Sequence, residues 1–521
     1  MLLALLGARP ADADLLARAL AAGEQPGGGT AQPPAQSPPT QPAPQPADDL
    51  TAWAGPARQT ALPELLRHAV QHAPSLATAR IDIAIAEARI EQTLARDDWR
   101  IDARLAVNSS QGYFNGIVLD RSTTVQVGVD LSRPLPTGGL VTLHAGTRYS
   151  RTPPFLPGDT AVDVNWADEI TGTITHPLLR GRGRFLYDAA ERRATLSRDA
   201  VVLGRRLAAI ETVQTVIAAY WDLVLAERQV AITRSSLELA NERLRITQIG
   251  TDGGKVPRSE IPAVQQIIAT REEDVLNGEL AVLDRSIALR RAAGLPIGKG
   301  ELGLWVGAEL APRDTSWDLG EVTERAYAAS PELAQLAKQD AVAKLDVEVT
   351  ENGLLPQLDA ALTIGPEGQD GKFGRAWKDT VTGESFLVAG SLTLQHSFGQ
   401  ENVKGLAREQ REQRRRIEVT AFDLRAQIAQ TMARAVAQAE LARRRVALSQ
   451  RAIDLATENI KIETDRFNLG KATNFDVLNR QEELRQAELR KAQAMIDQHK
   501  AESAIQALTG DILPTYGITV E

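Results

Sequence analysis

Six histidines, no cysteine and a spread of carboxylates are what this 521-residue chain offers to chemistry. His68 and His72 stand four apart, so a helix would place both on one face as a two-ligand metal pair. No third ligand accompanies them, and two surface histidines account for the spacing equally well. His176 and His396 each close a stretch of alternating apolar residues and read as structural groups at strand ends. Arg180, Arg182 and Arg184 form Arg-Gly-Arg-Gly-Arg, but the Lys-Ser/Thr and the preceding buried strand of a phosphate loop are missing. They mark a strand-to-helix corner. Thr473-x-x-Asp476 has the spacing of a capping box, and Pro257 to Glu260 that of a plain helix start. The absence of cysteine excludes disulfides, Cys-ligated metals and thiol nucleophiles. No nucleophile–base pair or metal set is recognisable, so no catalytic residue, metal site or cofactor is expected. A net charge of -8 does not suggest a nucleic-acid partner.

The two acidic motifs sit where long helices turn. In one helix Val446, Ile453, Ile460 and Phe467 recur every seven residues, and so do Leu448, Leu455, Ile462 and Leu469. In another, Val230, Leu237 and Leu244 run beside Ile232, Leu239 and Ile246. A seven-residue apolar repeat is a supercoiled packing seam. Two seams offset by two residues lie roughly 200° apart on a helix. Such a helix packs between two neighbours, as a stave does in a tube; a buried bundle helix is the other reading. Only 4% of the residues are aromatic, which suits closely packed long helices better than a large globular core.

The chain is internally duplicated. Leu62 to Ala103 aligns without a gap with Leu319 to Ala360, 257 positions on, and Gln214 to Gly294 aligns with Gln430 to Gly510, 216 positions on. About 41 extra residues therefore lie between Ala103 and Gln214 in the first half. The expected order in residues 51–294 is a helix (62–98), strands within 101–176, a long helix (188–249) and a return helix (257–293). Residues 295–318 connect to the second copy, 319–512. It repeats the plan with a helix (319–354), a hairpin (358–396) around a Gly- and Asp-rich loop (365–383), a long helix (402–468) and a return helix (473–509). A tail, 513–521, follows. The long helices would reach roughly 90–100 Å. The strands alternate apolar and polar residues, with long polar connections on one side and the tight Pro136-Thr-Gly-Gly139 turn on the other. That asymmetry is how outer-membrane barrels are built, although each hairpin taken alone also suits a soluble domain. No apolar run approaches the ~20 residues of a spanning helix. Residues 1–50 combine a signal-like start with a Pro-rich stretch expected to be disordered.

Over about 60–512 the chain resembles the TolC-like outer-membrane efflux protein family. The resemblance rests on Leu62 to Leu76, Leu354-Leu-Pro-Gln-Leu358 before a strand, His176-Pro-Leu-Leu-Arg-Gly181 leaving one, and Arg466-Phe-Asn-Leu-Gly470 with Asp476. It implies an α+β fold of mostly long helices. A trimeric outer-membrane β-barrel would be continuous with a periplasmic α-helical barrel, and the protomer would hold two structural repeats. It also implies partners: two further copies, outer-membrane lipid, a periplasmic adaptor and an inner-membrane transporter. The function implied is a passive exit duct for efflux or type I secretion, gated at its helical tip. A non-pore coiled-coil scaffold or adhesin of the envelope is the alternative.

The same resemblance assigns residues to the gate. Asp476 matches a pore-lining aspartate, and Asn479 stands where the family has a second one. Glu260 is the equivalent of Asp476 in the first copy. Phe467 replaces a tyrosine of the closing latch and Ala472 an arginine, so a weaker polar lock, replaced by Phe467 packing, is expected. Lys471 completes the gate set, and Gly254, Lys255 and Gly470 form the tip turns. The family has four strands per protomer. Six are expected here, giving about eighteen in a trimer; the alternative is that the added hairpin lies outside the bilayer, which leaves twelve.

Overall fold

Proline positions set the first break in the chain. In the computed structural model, which describes residues 58–114, 117–118, 121–152, 163–254, 256–298, 301–308 and 310–519, the helix expected over 62–98 is two. They are α1 (Leu62–His72) and α2 (Pro74–Leu94), separated by Ala73 in an extended conformation. Proline disfavours helical geometry in the residue before it but suits a first turn, so Pro74 ends one helix and opens the next. Residues 1–50 and Lys255 lie outside the described residues.

Four antiparallel strands follow: β1 (Arg100–Ser110), β2 (Ser122–Pro134), β3 (Leu140–Thr152) and β4 (Asp163–Pro177). A 64-residue helix, α3 (Ala189–Asp252), and a return helix, α4 (Glu260–Ala293), complete the first half. Gly294 caps α4 at φ 71°, the left-handed geometry that glycine adopts without cost. The second half opens with α5 (Leu319–Ala329) and α6 (Pro331–Asn352), where one helix was expected. Again the break precedes a proline, and Ser330 caps α6 by accepting from Leu333 N–H. Then come β5 (Gln357–Asp370), α7 (Phe373–Thr382), β6 (Ser385–Gln395), the 68-residue α8 (Glu401–Asn468) and α9 (Asn474–Leu508). At 1.5 Å per residue the two long helices run about 96 and 102 Å.

The stretch expected as a loop over 365–383 is not one. β5 runs on to Asp370, and ten of the remaining residues form α7, whose Ala376 and Thr380 are buried on the sheet.

These six strands join one sheet in chain order, with β1 and β6 at its edges. Its pairing register sorts the side chains. One row across the sheet reads Val388, Ile364, Gly172, Leu143, Leu131, Ile101. The next row, on the opposite face, reads Ala389, Thr363, Thr173, Thr142, Ser132, Arg100. Period-two alternation held in register over six strands gives one apolar and one polar face. The β4–β5 ladder skips the positions opposite Pro366 and Gly365, because proline has no N–H to donate.

The helices pack around Leu65, Leu66, Val213, Ile217, Leu223, Leu289 and Ile512, with a second cluster at Val322, Ile428, Met432 and Ile505. One helix, α3, carries a window apolar enough to cross a membrane by length and composition. Counting unbroken apolar runs overlooks it, and half of it is buried in this core. The seams differ in cover. Leu237 and Leu244 of α3 pack with Val264, Ile268 and Leu478, and Val446 of α8 packs with Met495. The other α8 seam, Leu448, Leu455, Ile462 and Leu469, is 50–71% exposed.

Candidate functional site

Each long helix turns back on itself at a glycine. Gly254 (φ 70°) and Gly470 (φ 69°) take the left-handed geometry that a side chain would strain, and no neighbour crowds either. Beyond Gly470, Thr473 caps α9. Its hydroxyl accepts from Asp476 N–H, and Asp476 Oδ2 accepts from Thr473 N–H at 2.8 Å, closing a reciprocal capping box. The Thr473 N–H and hydroxyl hold the Asp476 carboxyl below the usual aspartate range. Beyond Gly254 the N-cap residue of α4, Ser259, makes no side-chain cap.

The two tips are tied to each other. Asn474 Nδ2, on the first residue of α9, donates to Glu260 Oε2 at 3.3 Å, on the first residue of α4. Asn474 is buried, and its Oδ1 has no partner among the described residues. Arg243 of α3 places its guanidinium 5.0 Å from the Phe467 ring centroid, a cation–π contact between the long helices. Burial lowers the Arg243 pKa. Nearby, buried Arg271 of α4 donates to Ser236 O at 2.6 Å, which joins the two helices of the first half.

The structure thus brings Glu260 and Phe467 into contacts across the tips. Asp476 and Asn479 line one depression with Glu463, Arg466 and Arg480. Lys471 is exposed and makes a backbone bond to Arg466 O. Sequence reasoning missed Arg243, Arg271 and Asn474. Arg243 and Arg271 are polar residues at interior helix positions, where only their placement beside the seams signals burial, and Asn474 opens its helix, where a polar residue is ordinary.

The other candidates are structural. His68 Nδ1 lies 3.0 Å from Ala293 O and His72 Nδ1 lies 3.1 Å from His68 O, with the rings stacked 4.3 Å apart. Among the described residues no group of three His, Cys, Asp or Glu side chains could hold a metal. His176 lies in the β4–β5 ladder opposite Ala360, and His396 packs edge-on against Phe398. Arg180 donates to Gln357 and Gly181 N–H to Asn352 Oδ1, fastening the strand-to-helix corner. On the polar face of the sheet, His144 Nδ1 stands 2.6 Å from Asp130 Oδ1 and its Nε2 3.6 Å from Glu169 Oε1, a cluster absent from the sequence reading.

No protein-family model matches the chain, and no curated protein does. Solved structures do. The outer membrane protein VceC of Vibrio cholerae superposes with a TM-score of 0.61 at 15% identity, covering 86% of this chain and 96% of its own. The open-state MtrE outer membrane channel of Neisseria gonorrhoeae gives 0.61 at 16%, covering 92% and 98%. The Campylobacter jejuni CmeC outer membrane channel gives 0.62 at 12%, covering 86% and 85%. At these identities the likeness is one of architecture, and it runs nearly end to end: this chain has the fold of the bacterial outer-membrane channels.

Proposed function

We propose that the chain is a TolC-like outer-membrane channel subunit, a passive exit duct in the outer membrane with a periplasmic helical extension. Three copies would complete one barrel of about eighteen strands, the size class that leaves an aqueous channel. The observation that carries this reading is the sheet. Its apolar rows face one way and its polar rows the other, and both edges lack a partner among the described residues. A closed barrel in lipid needs apolar side chains outward, polar ones toward the lumen and no free edge, so edges left open in one subunit would be closed by the next.

Two further observations support it. Aromatic residues stand at both ends of the strands, the usual anchors at membrane interfaces. Trp99 lies under Arg133 at one end, with Phe398 exposed, and Tyr149 meets Trp166 at the other. The exposed leucine seam of α8 is what a neighbouring copy would cover in a helical tube. The halves 51–294 and 319–512 are read as two copies of one unit. Leu62 and Leu319 each open an 11-residue helix followed by a proline-led one, and each half then turns through a glycine tip. Energy for transport would come from an inner-membrane transporter, reached through a periplasmic adaptor at the tips. The tips would open by parting Arg243 from Phe467 and Glu260 from Asn474.

Planar-bilayer recording of the detergent-extracted protein tests the reading. Stepwise conductance from a trimeric, membrane-fractionating particle is expected. A monomer that stays in water without detergent and conducts nothing would favour the scaffold or adhesin instead.

A further inference from the structure

Helix α7 serves neither the tube nor the tip. It lies on the apolar face of the sheet, over the interior strands β4 and β5, and leaves both sheet edges free. Its approach is close. A Cβ on Gly368 would collide with Ala376 O, and Thr380 Oγ1 donates to Asp168 O at 3.2 Å. Beneath it, Trp166 meets Phe373 at 5.0 Å and Tyr149 at 4.9 Å, an aromatic cluster at the rim remote from the long helices.

What α7 shows to its surroundings is two-sided. Phe373, Trp377 and Val381 recur every four residues, so they form a stripe along one flank, and they are 41–64% exposed. Lys372 at the N-cap, Arg375 and Lys378 are exposed away from that stripe. The helix's one carboxylate, Asp379, is half-buried, and Glu384 follows the helix. An apolar stripe is out of place in water, and a cationic flank is out of place in hydrocarbon. A short helix bearing both, laid flat on an outward apolar surface and beside aromatic anchors, belongs at the boundary of acyl chains and headgroups.

We infer that α7 is an in-plane lipid-binding helix at the outer rim of the barrel. Its Phe373–Trp377–Val381 stripe enters the acyl layer, and Lys372, Arg375 and Lys378 hold the phosphate of an anionic lipid headgroup. The inference rests on the channel reading, because the stripe is continuous with the lipid-facing rows of the sheet.

The chain has no cysteine, so single-cysteine variants carry a spin label at one chosen place. Val381→Cys and Leu392→Cys, the second on the apolar face of β6, are labelled in phosphatidylcholine bilayers. Their collisions with oxygen and with a water-soluble nickel chelate are then measured. Both labels are expected to favour oxygen. If Leu392→Cys favours oxygen while Val381→Cys favours the chelate, the sheet is in lipid and α7 is not, which overturns the inference alone. If Leu392→Cys favours the chelate, the channel reading falls and takes the inference with it. For the headgroup arm, phosphatidylglycerol retained by the detergent-purified trimer is weighed by native mass spectrometry. The K372Q/R375Q/K378Q variant should bind it on the order of a hundredfold more weakly at low salt. Equal retention by wild type and variant would overturn the assignment of the cations.

Discussion

The tip of α3–α4 and the tip of α8–α9 share a turn and differ in how the turn is held. Both reverse at a left-handed glycine of nearly equal φ. Only the second adds a capping box, Thr473 with Asp476, while Ser259 leaves α4 without a side-chain cap. The cross-contacts run the other way round: the first half supplies the buried cation and the carboxylate, Arg243 and Glu260, and the second supplies Phe467 and Asn474. Each tip therefore keeps its own shape by local bonds and holds its partner by weaker ones. If the tips open as proposed, the movement would part the weaker set first.

The largest expected effect lies higher on the same helices, at the subunit contact that the proposed trimer requires. On α3 the outer seam is partly covered, with Leu239 44% and Ile246 37% exposed, whereas the α8 seam is the more open one. Replacing Leu448 and Leu455 together by aspartate should remove about 3–6 kcal/mol from each subunit contact, at about 1.5–3 kcal/mol per buried leucine. Loss of the trimer in light scattering is expected, with folded helices retained by circular dichroism. Next in size are the turns. Gly254→Ala and Gly470→Ala should each cost about 1–2 kcal/mol, through backbone strain alone, since neither site is crowded. Matching falls in melting temperature would show that the turns are equivalent.

Phe467→Ala should follow. Losing the cation–π contact, worth about 0.5–2 kcal/mol, would raise the open fraction of the channel roughly two- to thirtyfold, read as open probability in bilayers. Asp476→Asn is the smallest change and the most diagnostic. It should lower cation selectivity in bilayers; unchanged selectivity would take Asp476 out of the pore. Its effect on stability has a definite sign. The folded carboxyl titrates below its unfolded value, so the cap contributes fully above the ordinary aspartate range and is lost as pH falls through the lower folded value. The gap in melting temperature between Asp476→Asn and wild type should be widest at neutral pH and close in acid.

Most of the architecture was legible because it is periodic. Heptads such as Val446 to Phe467 and alternations such as Leu358 to Ile364 repeat often enough to outweigh any single residue. The breaks at Ala73 and Ser330 were readable in principle from Pro74 and Pro331, but an unbroken apolar pattern concealed them. Helix α7 was taken for a loop because Gly371, Gly374 and Gly383 crowd a ten-residue segment. Its stripe is only three residues long, and one of the two strands beneath it, β4, comes from about 200 residues earlier in the chain. The candidate site at the tips was legible in its turns and caps, which are local. It was illegible in its cross-contacts, because Arg243 finds Phe467 only after both helices have folded and met.

The edges of the sheet, unpaired among the described residues, have a consequence for the biogenesis of the proposed channel. β1 and β6 each expose a row of backbone amides and carbonyls over eleven residues. In hydrocarbon every such group left bare costs several kcal/mol. A lone chain would therefore have no state in which it could rest within a bilayer. Entry into the membrane and union of the copies would have to be a single event, with the subunits meeting beforehand. Making too little of the protein would then lower the yield of finished pores more steeply than in proportion.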